Sequence, residues 1–394
     1  MCRKAALYVV AVTLFMWCVS VPQAARAATL TVGQKSAACP KPLYSTIQSA
    51  VTAASSGDTI HVCAGTYPEQ VLITKSLNLS GDNGALIEPV NVAGNSTSFT
   101  SGQSIAAIVL VQGTTNVTIK NVIVDGSGNG ISECSPDLIG IFYQNASGEL
   151  NHVAVRDVEL SPTLNGCQSG LGVFVQSGGV SGGVSSVTIA NSSIHDYQKN
   201  GITANEVGTQ VTISGNVVTG LGTAAGTAQN GIQIGFGATG TIHANTVANH
   251  VYAPCIDLTG CPTTADDILV YQSDGVTVDH NTAGVSQTGI AILANNANVL
   301  DNTVFDSLVF DGVLLQGSGN SATGNHITRS DQAAVVISGN SNTVQQEVIN
   351  DAAIGILTMA GSTGTTLGIN TFFNTPVQMQ DPPPSATRQA SPYR

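Results

Sequence analysis

The sequence predicts an all-β chain wound as a right-handed parallel β-helix solenoid with an N-terminal α-helical cap. Three observations predict it. First, its apolar bursts are short. In "GDTIHVCAGTYPEQVLITKSLNLSG" (57–81), Ile60 to Cys63, Val71 to Ile73 and Leu77 to Leu79 are separated by Gly, Pro, Asn or a charge, and no helix-length pattern fits between them. Second, the composition suits short strands and tight turns, with 43 Gly, 42% hydrophobic residues and only 9% charged ones. Third, the chain repeats. Asn281, Asn302, Asn325 and Glu347 stand at matching places, 21, 23 and 22 residues apart.

A period near 22 residues with two or three short strands per unit means a solenoid. The Leu/Asn consensus of leucine-rich repeats is absent, and a propeller needs about twice the period. In a β-helix each repeat is one coil, and each strand pairs with its equivalents above and below at about 4.8 Å. Asn216 and Asn245 extend the Asn series. At an inward turn their amides can bond one another from coil to coil, a structural role. Earlier periods are longer and so carry inserted loops.

The elements follow in order. Arg3 and Lys4, an apolar run from Ala5 to Val21, and Ala25-Arg26-Ala27 have the layout of a secretory signal over 1–27. A lead segment covers 28–42, and the solenoid covers 43–380. Ile47, Ala50, Val51 and Ala54 share one helical face, which predicts a capping helix over 45–55, with Ser45 and Gln48 as a capping box and Gly57 as its end. At the other end Phe372 and Phe373 are expected to close the core, and 381–394 reads as a disordered Pro-rich tail. Six cysteines remain after the signal. Fifteen pairings are open to them, and coil adjacency favours Cys39 with Cys63, Cys134 with Cys167 and Cys255 with Cys261. This points to a secreted or periplasmic protein. The net charge of −12 gives no electrostatic footprint for nucleic acid, and no segment after the signal is long and apolar enough for a membrane.

"STIQSAVTAASSGDTIHVCAGTYPEQVLITKSLNLSG" resembles the N-terminal cap and first coil of bacterial pectin-lyase-like, right-handed β-helix repeat proteins. "HDYQKNGI" and "AQNGIQIGFGATGTIHANTV" resemble their central repeats. The resemblance covers about Leu43 to Phe373. It implies the fold, and it implies a groove for acidic or neutral polysaccharides along one parallel sheet. The superfamily holds lyases, hydrolases, epimerases and members with no assigned reaction, so the chemistry must come from the site itself.

A groove needs loop walls. Insertions are expected at 220–229, at 250–265 with Cys255 and Cys261, near Cys134 to Pro136, and around Cys167. Three consecutive coils put polar residues before one strand: Lys199 and Asn200, then Gln229 and Asn230, then Asp266 and Asp267. Asn200, Asn230 and Asp266 should stack, with Asp266 outward and Asp267 in the place of Gly201 and Gly231. His195, Lys199, Asp266 and Asp267 are the candidate catalytic groups. His195 or Lys199 would remove a proton α to a uronate carboxyl, and the two Asp would act as acid and base or hold Ca²⁺. Asn200, Asn230, Tyr197 and Tyr252 are the candidate sugar-binding residues. The other aromatic platforms available are Tyr143, Phe174, Phe236 and Tyr271. Turn chemistry alone explains Asn-Gly and Asp-Gly equally well. His243, His250, His280 and His326 read as turn residues on the coil surface.

Relative to polygalacturonases of this fold, "AQNGI" and "ADDIL" stand where acid-bearing motifs are expected, but Asn230 replaces the first acid, and the Gly-His-Gly and Arg-Ile-Lys motifs are missing. The Asp-Pro-His of alginate epimerases is missing too. Pectate lyases use Arg or Lys as base beside Ca²⁺, and Lys199 fits that part, with an incomplete Asp cluster. Two readings follow: a monomeric lyase or hydrolase type enzyme acting on a uronate-containing polysaccharide, or a non-catalytic extracellular solenoid that binds glycan or protein.

Overall fold

The computed structural model describes residues 27–179, 182–255, 261 and 263–381. The signal segment and the tail lie outside them, except for Ala27 and Asp381. Strands stack into three long sheets. The first and third have 13 strands each and the second has 12. Within every sheet, neighbours belong to successive coils and pair in parallel, apart from the short antiparallel pair Ser96–Thr97 with Ser104–Gln112. Among the described residues no helix is long and apolar enough to cross a membrane.

Pairing in register forces like residues to stack. One inward column of the third sheet runs Val173, Ile202, Ile232, Ile268, Ile290, Val313, Val335 and Ile356. All are buried in a single core that follows the axis. Each such side chain contributes about 1.5–3 kcal/mol on removal from water. The Asn series forms the expected ladder. Asn216 Nδ2 donates to Asn245 Oδ1 at 2.9 Å, and the chain continues through Asn281, Asn302 and Asn325, ending with a 3.0 Å bond to Glu347 Oε1.

The N-terminal helix is shorter than expected, spanning Ile47–Ala53, with Ile47, Ala50 and Val51 buried in the same core. Its cap is Thr46 and not Ser45. Thr46 Oγ1 accepts from the Ser49 amide at 3.3 Å. The first free amides are taken by a distant residue: the Glu69 carboxylate accepts from Ile47 and Gln48 at 2.7 and 2.8 Å. The helix ends at Ala54, and Gly57 belongs to the turn beyond. At the far end Phe372 packs on the core, but Phe373 is 54% exposed, because neighbours on a strand face opposite sides.

The three expected disulfides are formed: Cys39–Cys63, Cys134–Cys167 and Cys255–Cys261.

Candidate functional site

A cavity of about 610 Å³ lies on the outer face of the third sheet. Its floor comes from the strands Asp137–Gln144, Leu171–Gln176, Asn200–Asn205, Asn230–Gly235 and Asp266–Tyr271. Outward positions in register change character along it. Phe142 and Phe174 stack at 4.9 Å, and Thr203, Gln233 and Leu269 continue their column. The floor therefore passes from apolar at the two Phe to polar at Thr203 and Gln233, and back to apolar at Leu269.

The polar part is a mesh of side-chain amides. Asn200 Nδ2 donates to Gln233 Oε1 at 3.1 Å, and Gln233 Nε2 donates to Asn205 Oδ1 at 3.1 Å. Asn200, Asn230 and Asp266 stand in register, as the sequence suggested. Phe236 and Tyr271 form an edge-on pair with centroids 5.3 Å apart and line the same cavity. The walls include Cys134, Cys167 and Thr263 from predicted insertions. The insertion at 220–229 instead packs on the loop beside Cys167, where Thr227 Oγ1 donates to the Asn165 carbonyl at 2.7 Å.

One lysine and two carboxylic acids line this space. Lys199 is partly exposed, and its Nζ donates to the Ala228 carbonyl at 2.8 Å. Burial lowers its pKa to about 8, while the nearby Asp266 pulls the other way. Burial pushes Asp137 up to about 6. Glu206 is also raised by burial, against hydrogen bonds from Thr100 and Gln176. Asp137 and Glu206 escaped the sequence reading. Both lie outside the repeated Asn/Asp-Gly positions, Asp137 at the start of its strand and Glu206 in the turn after Asn205. One wall also escaped it: Ser98, Thr100, Ser101 and Gln103 come from a loop whose Thr97 carbonyl accepts from Gln144 Nε2 at 2.7 Å.

The remaining candidates are dispersed. His195 ends a strand of the second sheet and faces Asp196 at 2.6 Å, away from the cavity lining. Tyr197 is fully buried, so it presents no ring to a sugar. Tyr143 is likewise inward, with its hydroxyl donating to the Val117 carbonyl at 3.0 Å. Tyr252 packs with Cys255, Val309 and Phe310. Asp266 keeps its place in the column but is fully buried and does not line the cavity. Asp267 turns inward as expected, and there it bonds His250 Nδ1 at 2.6 Å. The two acids thus serve different sides of the sheet and do not form one Ca²⁺ cage or acid–base pair. His250 is accordingly a core residue and not a surface turn residue; its other nitrogen contacts the Tyr197 hydroxyl.

Residues 256–388 match the family described as "Periplasmic copper-binding protein (NosD)", about the last third of the chain. No curated protein sequence matches the chain. Similar solved structures include the A-module of a mannuronan C-5 epimerase from Azotobacter vinelandii, at TM-score 0.52 and 15% identity over 87% of this chain and 95% of that one. A GH136 lacto-N-biosidase from Eubacterium ramulus aligns at TM-score 0.60 and 11% identity, over 88% and 68%. A polygalacturonase from Erwinia carotovora aligns at 0.50 and 14%, over 90% and 97%. With its three parallel sheets and these neighbours, the chain has the pectin-lyase-like, right-handed parallel β-helix fold.

Proposed function

We propose that this chain binds an anionic, uronate-containing polysaccharide in the third-sheet cavity and carries out acid–base chemistry on it, outside the cytoplasm. One observation carries the reading: a single cavity combines aromatic faces, an amide mesh, and groups that titrate close to neutral pH. Phe174, Phe236 and Tyr271 offer apolar faces to sugar rings. Asn200, Asn205, Asn230 and Gln233 offer donors and acceptors to hydroxyls. Lys199 is the cation that offsets the net charge of −12, which otherwise repels a uronate. With its amine near pH 8 it is mostly protonated at neutral pH and suited to give a proton, whereas Asp137, near 6, is mostly ionised there and suited to take one. Three of the neighbours are named for carbohydrate enzymes, which supports the substrate class. The disulfides, and the word periplasmic in the matching family's description, support an oxidising compartment.

The test is a screen of soluble polysaccharides, read for new reducing ends and for unsaturated-uronate absorbance. Reducing ends alone mean hydrolysis, and both signals together mean β-elimination. Retained binding with neither signal reduces the proposal to a glycan-binding solenoid. No binding to any uronate polymer overturns it.

A further inference from the structure

On the corner after the first sheet, away from the cavity, three potential metal ligands converge. His243 ends the strand Thr239–His243, Asp279 ends the strand Thr277–Asp279, and the two are register partners on adjacent coils. His280 follows Asp279 with φ +55°, which brings its ring back to the same corner. The Asp279 Oδ2 atom faces His243 Nδ1 at 2.8 Å and His280 Nδ1 at 2.9 Å. One ligand atom from each residue lies within 4.8 Å of the others.

We propose that His243, Asp279 and His280 form a binding site for a late first-row divalent metal ion, Cu²⁺, Zn²⁺ or Ni²⁺. Two imidazoles and one carboxylate are a borderline donor set that favours these ions over Ca²⁺ or Mg²⁺. Donors on opposite sides of an ion bound at about 2.1 Å lie about 4.2 Å apart, so small turns of the exposed rings complete the shell. Each neutral imidazole gives the ion its Nδ1 lone pair and carries its proton on Nε2, and water fills the remaining positions.

The backbone beneath is fixed. Asn245 Nδ2 donates to the His243 carbonyl and Asn281 Nδ2 to the Asp279 carbonyl, each at 3.1 Å, so the Asn ladder holds both ligand-bearing residues. The Ala244 amide bonds the Asp279 carbonyl at 3.0 Å across the coils. The other two exposed His–Asp pairs, His61–Asp82 and His195–Asp196, bring only one imidazole each. His243 lies outside the 256–388 segment, so the site depends on a coil that the matching family does not cover.

The test uses the full chain, without a histidine tag and stripped of metal. Equilibrium dialysis and calorimetry with CuCl₂, ZnCl₂ and NiCl₂ should find one site per chain, with CaCl₂ and MgCl₂ inert. The Cu²⁺ electron paramagnetic resonance spectrum should show coupling to imidazole nitrogen. His243→Ala with His280→Ala should weaken binding at least about 100-fold, and Asp279→Asn should weaken it about 10-fold. Both rings are largely exposed, so melting should not move, and His195→Ala should bind like wild type. Absence of a site tighter than millimolar, or binding unchanged in the double variant, overturns the proposal.

Discussion

Asp267 Oδ1 and His250 Nδ1 meet at 2.6 Å inside the coil, and neither side chain has any exposed surface. Burial lowers His250 to about 3 and raises Asp267 well above the usual carboxylate range, disfavouring the charged form of each. Their linkage effects oppose each other. The unfolded His250 takes up a proton below about 6.5, whereas the folded Asp267 keeps one that the unfolded chain has lost above about 3.9. Between these values the two effects offset each other. Asp267→Asn leaves only the histidine effect, so this variant should lose stability as pH falls from 6.5 toward 3, relative to wild type. Urea unfolding at pH 7 and pH 5 checks it. His250→Leu strands two polar partners and should cost about 2–4 kcal/mol at pH 7.

Glu347 stands where the ladder would otherwise place another Asn. Burial raises its pKa to about 8, against hydrogen bonds from Asn325. Its folded value lies above its unfolded one, so the fold binds an extra proton between about pH 4.5 and 8. Stability contributed here is full below 4.5 and declines as pH rises to 8. Glu347→Gln should remove that slope and melt higher than wild type at pH 8.5, with little difference at pH 4.5. Thermal unfolding at the two pH values decides this.

Asn281 both accepts from Asn245 and donates to Asn302 within the core. Asn281→Leu breaks two ladder bonds and orphans amides on both sides, and should cost about 2–4 kcal/mol by chemical denaturation. An equal change at exposed Val207 should be within about 0.5 kcal/mol.

If Lys199 supplies the positive charge for an anionic glycan, affinity falls as pH rises through about 8. Lys199→Arg should carry binding to higher pH, and Lys199→Met should abolish it, with melting within about 1 kcal/mol of wild type. Calorimetry from pH 6 to 10 provides the comparison. Binding by the Met variant with an unchanged pH profile removes Lys199 from the site.

Phe236 is 39% exposed at the cavity and packs edge-on against Tyr271. Phe236→Ala should weaken glycan binding about 2- to 10-fold, in keeping with the loss of one ring contact. A fluorescent oligosaccharide titration measures it.

What the sequence determined by itself is whatever repeats. A parallel coil stacks like on like, so the 21 to 23 residue spacing of Asn281, Asn302, Asn325 and Glu347 specified the ladder. The matching polar residues before one strand, 30 and 36 residues apart across inserted loops, put Asn200, Asn230 and Asp266 in one column and turned Asp267 inward, and adjacency of coils specified the disulfides. What only the tertiary structure decided is which side of each irregular residue faces water. A strand puts neighbours on opposite faces, and one positive-φ corner redirects the next side chain. Hence Tyr197 entered the core, His195 went to another sheet, and Asp266 was covered. Asp137 and Glu206 reached the cavity from places no repeat marks. His243 and His280, 37 residues apart, met at Asp279 because the intervening insertion lengthens one coil without changing which strands pair.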